Sequence, residues 1–406
     1  MVAGIIAEYN PFHAGHAYQI SEVKKIFRDA EIVAVMSGSF TQRGTPAILD
    51  KWTRARLAVE GGCDLILELP FTSAVRSAQD FARGGVRLLS KLGIVDKIIF
   101  GAEFSDLEKL QAAAKVFNEK IFHDELKKKL SSGISYAAAV TKVLSEQINL
   151  DEKILRQPNT ILAIEYLRTL PKNITPILVQ RVGANYDDLN LQENFSSAAA
   201  IRAAVYEKNP DWKKISQSVD KKVLDALIQE KNSGLVREEF LFRPILSKLF
   251  TSEVDDLKKI FGMSEGLENL FIKSAQTAKN FSELINSMTN RRYQTSRIKR
   301  LLLYFSLNLT KEKISEVEGA DFVRVLAFNE RGQKLLKKIR QSSNLPIVNK
   351  VSPHLKKISE PYQKNLQVDI MATNLREILF DVPKIFNRDF LTSPQNLLLN
   401  TAEVFL

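Results

Sequence analysis

Two of the four histidines in this chain stand three residues apart with a glycine between them, in His13-Ala14-Gly15-His16. Imidazoles at that spacing fall on one face of a helical turn, and both can donate to phosphate oxygens. Gly15 lets a phosphate come close to the backbone. The chemistry suggested is the binding of a nucleotide's phosphates. The bland alternative is two histidines near a turn glycine, but histidine is scarce here and the local pattern favours phosphate.

The elements around the motif support that reading. Val2 to Ala7 is a short apolar run that reads as a buried strand, and Asn10-Pro11 ends it, because proline has no N–H to donate. From His16 onward, Tyr18, Ile20, Val23 and Phe27 recur at helical spacing. The histidines therefore sit where a strand turns into a helix N-terminus, a place whose free N–H groups and dipole attract anions.

Further strands are expected at Glu31–Met36, Asp64–Leu69, Lys97–Phe100 and Ile177–Val182, with helical segments between them. Alternating strands and helices predict an α/β fold with a parallel sheet, whose ligands bind beyond the carboxyl ends of the strands. Four landmarks fall at those ends: the His13/His16 turn, the polar loop Ser37–Gly44, Gly101 and Arg181. Asp50 reads as a helix cap, Lys51 as a surface charge and Trp52 as packing. Gly101 reads equally as a turn glycine or a ligand-approach glycine, and Asn159 as a plain N-cap. Cys63 reads as a buried small hydrophobe, and His123 and His354 stay unassigned.

Composition sets the bounds. The chain has 406 residues, 45% hydrophobic and 26% charged, enough for two or three domains with a substantial core. No apolar stretch is long enough to span a bilayer, and no secretory signal is expected. The lone Cys63 excludes an intramolecular disulfide framework and a cysteine-based zinc site, so a cytoplasmic protein is expected. The net charge of +11 is uneven: residues 201–406 hold 34 Lys and Arg against 24 Asp and Glu, the first 200 residues 24 against 23. That asymmetry suggests chemistry in residues 1–215 and a mostly helical, basic, polyanion-binding region in 216–406. Helices are expected at Ser264–Ala275, Ser282–Met288, Ser296–Leu307 and Arg331–Ile339. One basic cluster, Arg291, Arg292, Arg297, Lys299 and Arg300 around Tyr293, suits phosphate contact with base stacking. A second, Arg331 to Arg340, is equally well a solvated helix face.

His13-Ala14-Gly15-His16 resembles the signature of the HIGH-motif nucleotidyltransferase superfamily, and no lysine-rich loop of the synthetase kind accompanies it. More narrowly, the chain is similar to the tRNA(Met) cytidine acetate ligase family. The likeness runs through Glu8-Tyr9-Asn10-Pro11-Phe12-His13-x-Gly15-His16, Met36-Ser37-Gly38-x-Phe40-x-Gln42-Arg43-Gly44 and Pro46-Ala47-Ile48-x-Asp50-Lys51-Trp52-x-Arg54. It continues in Leu67-Glu68-Leu69-Pro70, Phe100-Gly101-x-Glu103, Pro158-Asn159-x-Ile161-Leu162-x-Ile164-Glu165-Tyr166 and Arg181-x-Gly183-Ala184. Glu265-Gly266-Leu267-Glu268-Asn269 and Arg292-Tyr293-x-x-x-Arg297-Ile298-x-Arg300-Leu301-Leu302 also fit, and Ser196-Ser197-x-x-x-Ile201-Arg202 resembles the serine/arginine motif of the wider nucleotidyltransferases. Ala14, Ser39, Ala102 and Asp187 depart from the family pattern, and the tail beyond about 310 matches least.

The resemblance implies a Rossmann-like catalytic domain that uses ATP, with Mg2+ accompanying it and no dedicated protein metal site, to activate acetate as acetyl-adenylate. The acetyl group would pass to N4 of a cytidine in the anticodon of elongator tRNA(Met). It implies catalytic roles for His13 and His16. ATP would be bound by Ile5, Ile6, Ala7, Glu8, Tyr9, Asn10, Pro11, Phe12, His13, Ala14, Gly15, His16, Ala17 and Tyr18. Gly101, Asn159, Arg181, Ser197 and Arg202 complete that set, the arginines holding the triphosphate. The tRNA would meet Arg291, Arg292, Arg297, Lys299 and Arg300. No membrane association or stable protein partner is expected. The alternatives are a small-molecule adenylyltransferase, which would leave the basic region idle, and a non-catalytic RNA-binding protein, against which the intact histidine pair argues.

Overall fold

The computed structural model describes residues 1–181, 190–192, 195–264 and 266–398. Expectations touching Val182, Gly183, Ala184, Asp187 and Glu265 lie outside these residues.

The sheet is built where the apolar runs predict. Strands β1 (Val2–Ala7), β2 (Glu31–Ser37), β3 (Leu65–Leu69), β4 (Lys97–Ala102) and β5 (Thr175–Gln180) lie in the order β5-β4-β1-β2-β3, all parallel. The runs are continuous because both faces are covered, and the two-residue period shows only in which core each side chain joins. Val33, Val35, Leu65, Leu67 and Leu69 enter one core, and Ile32, Ala34, Met36 and Ile66 enter the other. β4 runs past its expected end, so Gly101 lies within the strand and pairs with Val179. β1 is the first strand in sequence and has neighbours on both sides, so the chain order reverses between β1 and β4. Side chains can converge on the crevice this opens at the carboxyl ends.

The expected boundary at 215/216 does not divide the sheet. Strand β6 (Val323–Phe328) adds antiparallel to β3 with a bulge at Ile66/Leu67, and β7 (Ile347–Val348) and β8 (Gln395–Asn396) flank β6 in parallel. The run Phe322–Phe328 is apolar apart from Arg324, and that one charge hides a strand in the sequence. Arg324 is buried, donates to the Asn349 carbonyl at 3.2 Å and faces Asp389 at 3.5 Å.

The four helices expected beyond 215 are present as Leu267–Thr277, Phe281–Met288, Thr295–Ser306 and Glu330–Ser342. The first three pack with Phe242–Phe250 in the same apolar cluster as one face of the sheet. The long helix Glu360–Ile378 returns to the start of the chain. Its Arg376 donates to the carbonyls of Ala47 and Ile48 at 2.9 and 3.1 Å, and its Asp369 accepts from the Phe71 N–H at 2.7 Å.

Candidate functional site

His13 is the N-cap of the helix Ala14–Ile26, and a reciprocal cap ties it to His16. The Gly15 N–H donates to His13 Nδ1 at 3.0 Å, and the His13 N–H donates to His16 Nδ1 at 3.2 Å. A histidine pair thus does the work of the usual hydroxyl and carboxylate. With Nδ1 accepting in both rings, the neutral imidazoles carry their proton on Nε2, which is the donor each offers to the cavity they line. The rings stack with centroids 3.8 Å apart, and Tyr9 meets His16 edge-on at 4.9 Å. Burial, reinforced by the positive charges of Arg181 and Arg202, lowers His13 to about 3. Burial and the neighbouring His13 take His16 well below its ordinary range. Both are neutral hydrogen-bond donors at physiological pH.

The cavity lies at the carboxyl ends of β1, β4 and β5. Of the expected ATP-binding residues, Ile6, Ala7, Glu8, Tyr9, Asn10, His13, Gly15, His16, Tyr18, Gly101, Asn159, Arg181, Ser197 and Arg202 line it. Ile5, Pro11, Phe12, Ala14 and Ala17 are not on its wall. Ile5 and Phe12 are core residues, the Phe12 ring lying against Gly61. The Ala14 N–H is taken by the Ser218 carbonyl at 2.9 Å.

Each polar wall residue is held by an identifiable contact. Arg181 follows β5, its N–H on the Ala102 carbonyl at 3.0 Å. A Cβ on Gly101 would come within 3.2 Å of Arg181 Cγ, so this glycine makes room for the arginine. Arg202 Nη1 donates to the Asn10 carbonyl at 2.6 Å, and Ser197 caps its helix, Ala198–Tyr206, by accepting from the Ala200 N–H. Asn159 is not the N-cap expected for it. Gln157 is, with Pro158 in the first turn. The Glu103 carboxylate supplies the capping, accepting from the Thr160 N–H at 2.9 Å and from Asn159 Nδ2 at 2.6 Å.

The sequence reading missed Gln19, Gln42, Phe81, Leu162, Tyr166 and Phe195, which also face the cavity. It also underrated Lys51 and Arg54. Lys51 is buried, not a surface charge, and donates to Glu68 and Asp389 at 2.8 Å each. Burial alone would lower its pKa, but Asp389 and Glu68 hold it above the ordinary lysine value. Arg54, fully buried, gathers the carbonyls of Glu8 at 2.5 Å, Ser37 at 3.0 Å and Leu49 at 3.2 Å, and that of Gly38. It thereby joins the ends of β1 and β2 at the site. The Gln42 N–H from the adjoining loop donates to Glu8 Oε1 at 2.5 Å. The helical spacing of these charges was visible in the sequence, but their burial was not.

The first basic cluster is only partly a surface. Arg291 and Arg292 are exposed, and Arg297 lies 5.0 Å from the Tyr293 ring. Lys299 is taken by Glu238 at 2.6 Å, and Arg300 is half-buried against the Gln42 carbonyl at 3.3 Å. In the second cluster Lys338 pairs with Glu31 at 2.9 Å and Arg331 reaches the Asp29 carbonyl, so part of that face docks on the sheet.

A parallel sheet with a donor-rich crevice at its switch point, entered by a helix N-terminus carrying paired imidazoles, defines a nucleotide-binding α/β protein of the nucleotidyltransferase class. The family model HIGH Nucleotidyl Transferase matches residues 1–389. A tRNA(Met) cytidine acetate ligase from Thermoanaerobacter sp. (strain X514) is 39% identical over 96% of this chain and 98% of its own. One from Caldanaerobacter subterraneus subsp. tengcongensis is 37% identical over 95% and 97%. The chain belongs to the tRNA(Met) cytidine acetate ligase family within the HIGH nucleotidyl transferases. The apo crystal structure of Thermotoga maritima TmcAL superposes with a TM-score of 0.90 at 32% identity, covering 97% of this chain and 99% of that one. The form of that protein bound with alpha-thio ATP gives 0.88 at 31% identity, with the same coverage.

Proposed function

We propose that this chain is an ATP-dependent ligase that converts acetate to acetyl-adenylate and transfers the acetyl group to N4 of a cytidine in the anticodon of elongator tRNA(Met). The observation that carries this is the stacked, neutral His13/His16 pair facing Arg181 and Arg202 across one cavity, in a chain that matches tRNA(Met) cytidine acetate ligases along nearly its whole length.

In the first step a carboxylate oxygen of acetate attacks the α-phosphorus of ATP, and the bond to the β-phosphate oxygen breaks to release pyrophosphate. Negative charge crowds onto the α-phosphoryl oxygens as the new P–O bond forms. The two Nε2–H donors, held rigid by their backbone caps, stabilise that state more than the ground state. Arg181 and Arg202 bind the phosphates; a magnesium ion brought with ATP would screen the rest of their charge, held by the phosphates themselves. In the second step the cytidine N4 attacks the acetyl carbonyl, the bond to the phosphate oxygen breaks, AMP leaves and N4 gives up one proton.

Arg291, Arg292 and Arg297 supply phosphate contacts for the tRNA. Residues 1–215, completed by the returning C-terminal strands, form the catalytic unit, and the helices between 242 and 306 carry the RNA surface. An acetate-dependent ATP–pyrophosphate exchange assay, followed by mass spectrometry of tRNA treated with protein, ATP and acetate, tests the reading. Exchange that requires acetate but no RNA, and N4-acetylcytidine in the tRNA, are the expected results. Absence of either overturns it.

A further inference from the structure

The helix Ala198–Tyr206 borders two cavities. Ala199 and Arg202 line the nucleotide cavity and also a neighbouring, more open one, so the two adjoin along this helix. Tyr206, one turn beyond Arg202, belongs to the second cavity alone. Its side chain has two environments. The hydroxyl donates to the Val236 carbonyl, and burial pushes its pKa up to about 12, yet the residue as a whole is 41% exposed. A tyrosine anchored at its hydroxyl and open along its ring is a fixed apolar platform, the kind of surface on which an unstacked nucleobase is received.

The wall carries charges of both signs, Arg202, Arg237 and Lys299 with Glu238 and Glu239, which suits a base held beside its own phosphates. Glu238 and Glu239 both line it, and Lys299 beside them is engaged by Glu238. Carboxylates repel phosphates but accept from the exocyclic amine of a base such as cytosine. Cations suited to the RNA backbone accompany the carboxylates: Arg237 is exposed at the wall, and Arg291 and Arg292 are exposed a few residues before the wall residue Thr295.

We propose that this second cavity receives the acceptor nucleobase, an amino-bearing pyrimidine of the RNA that stacks on Tyr206 and meets the activated acyl group past Arg202. The inference rests on the function proposed above and locates its second substrate.

The test uses the full-length protein and tRNA carrying a photoreactive pyrimidine at the acceptor position. The cross-linked peptide is identified by mass spectrometry. A cross-link to Tyr206 or within residues 236–239 is expected, and one confined to peptides outside the second cavity overturns the proposal. In parallel, Tyr206→Ala raises the KM for tRNA about tenfold while acetate-dependent exchange, which involves no RNA, persists and reports an intact fold. Tyr206→Phe keeps the ring and stays within about threefold of wild type. An unchanged KM in Tyr206→Ala overturns the proposal. If that variant loses exchange as well, the cross-link on the wild-type protein decides. Wild-type protein that shows no acetate-dependent exchange fails the functional reading itself and takes this inference with it.

Discussion

The two histidines combine structure and chemistry in one pair of side chains, and their protonation couples the two. His13 is held near 3 in the folded chain against about 6.5 when unfolded, and His16 is also depressed. The unfolded chain therefore binds more protons between those values. The stability from burying the neutral rings is full above about pH 6.5 and is lost as pH falls towards 3. The slope is about 1.4 kcal/mol per pH unit for each histidine. Asparagine also caps helices through a side-chain acceptor. Thermal melts of His13→Asn at pH 7 should match wild type, and those at pH 5 should fall less. The same substitution removes the Nε2 donor proposed for the α-phosphate, so exchange should drop roughly a hundred- to a thousandfold. His16→Ala should show a comparable loss of exchange with tRNA affinity nearly unchanged in a filter-binding assay. In the same cavity, Gly101→Ala places a methyl group 3.2 Å from Arg181 Cγ. It should raise the KM for ATP several-fold in the exchange assay with little change in melting temperature.

Among the elements, the segment from Ser37 to Trp52 has the most unusual support. It runs from the end of β2 into the helix Lys51–Glu60, and side chains far along the chain hold it. Arg54 and Arg376 gather its carbonyls, Ser39 donates to Thr373 at 3.1 Å, and Lys51 bridges Glu68 and Asp389. Removing Lys51 leaves two carboxylates buried with one partner fewer, a change that costs about 3–5 kcal/mol for a buried pair. Urea denaturation of Lys51→Met should show a loss of unfolding free energy of that size, read as a lower midpoint at unchanged slope. A midpoint within experimental error of wild type would mean the cluster is already neutralised by proton uptake. Glu103 has the same kind of role on the other side of the site, where it caps the helix that presents Asn159.

At the scale of the whole molecule, Arg300 joins the surface proposed for RNA to the loop beside the cavity. It lies against the Gln42 carbonyl, while Arg297 on the same helix, Thr295–Ser306, sits 5.0 Å from the Tyr293 ring. Arg292 and Arg297 should therefore govern the electrostatic part of tRNA binding, and Lys299, committed to Glu238, should not. Neutralising Arg292 and Arg297 together should reduce the slope of log affinity against log salt by about 1 to 2. Lys299→Gln should leave that slope unchanged. Equal effects from both changes would show that the Lys299–Glu238 pair opens when RNA arrives. Truncating the chain before β6 should yield aggregated protein rather than a free catalytic domain, because it bares the β3 edge and removes Asp389 from Lys51.

What the amino-acid order determined by itself was local. The apolar runs of β1 to β5, the strand-to-helix turn that carries the histidines and the helices after 260 all follow from periodicity and from punctuation by proline and glycine. These signals act within a few residues, so they survive without knowledge of the fold. Tertiary structure alone decided what depends on distant partners. Arg324 disguised β6 because a charge in an apolar run looks like an interruption until Asp389 is seen beside it. Lys51 looked solvated until Glu68 and Asp389 enclosed it. Lys299 and Arg300 looked like free cations until Glu238 and the Gln42 carbonyl took them up. The burial of a charge is a property of its surroundings, and those surroundings come from segments up to 338 residues away.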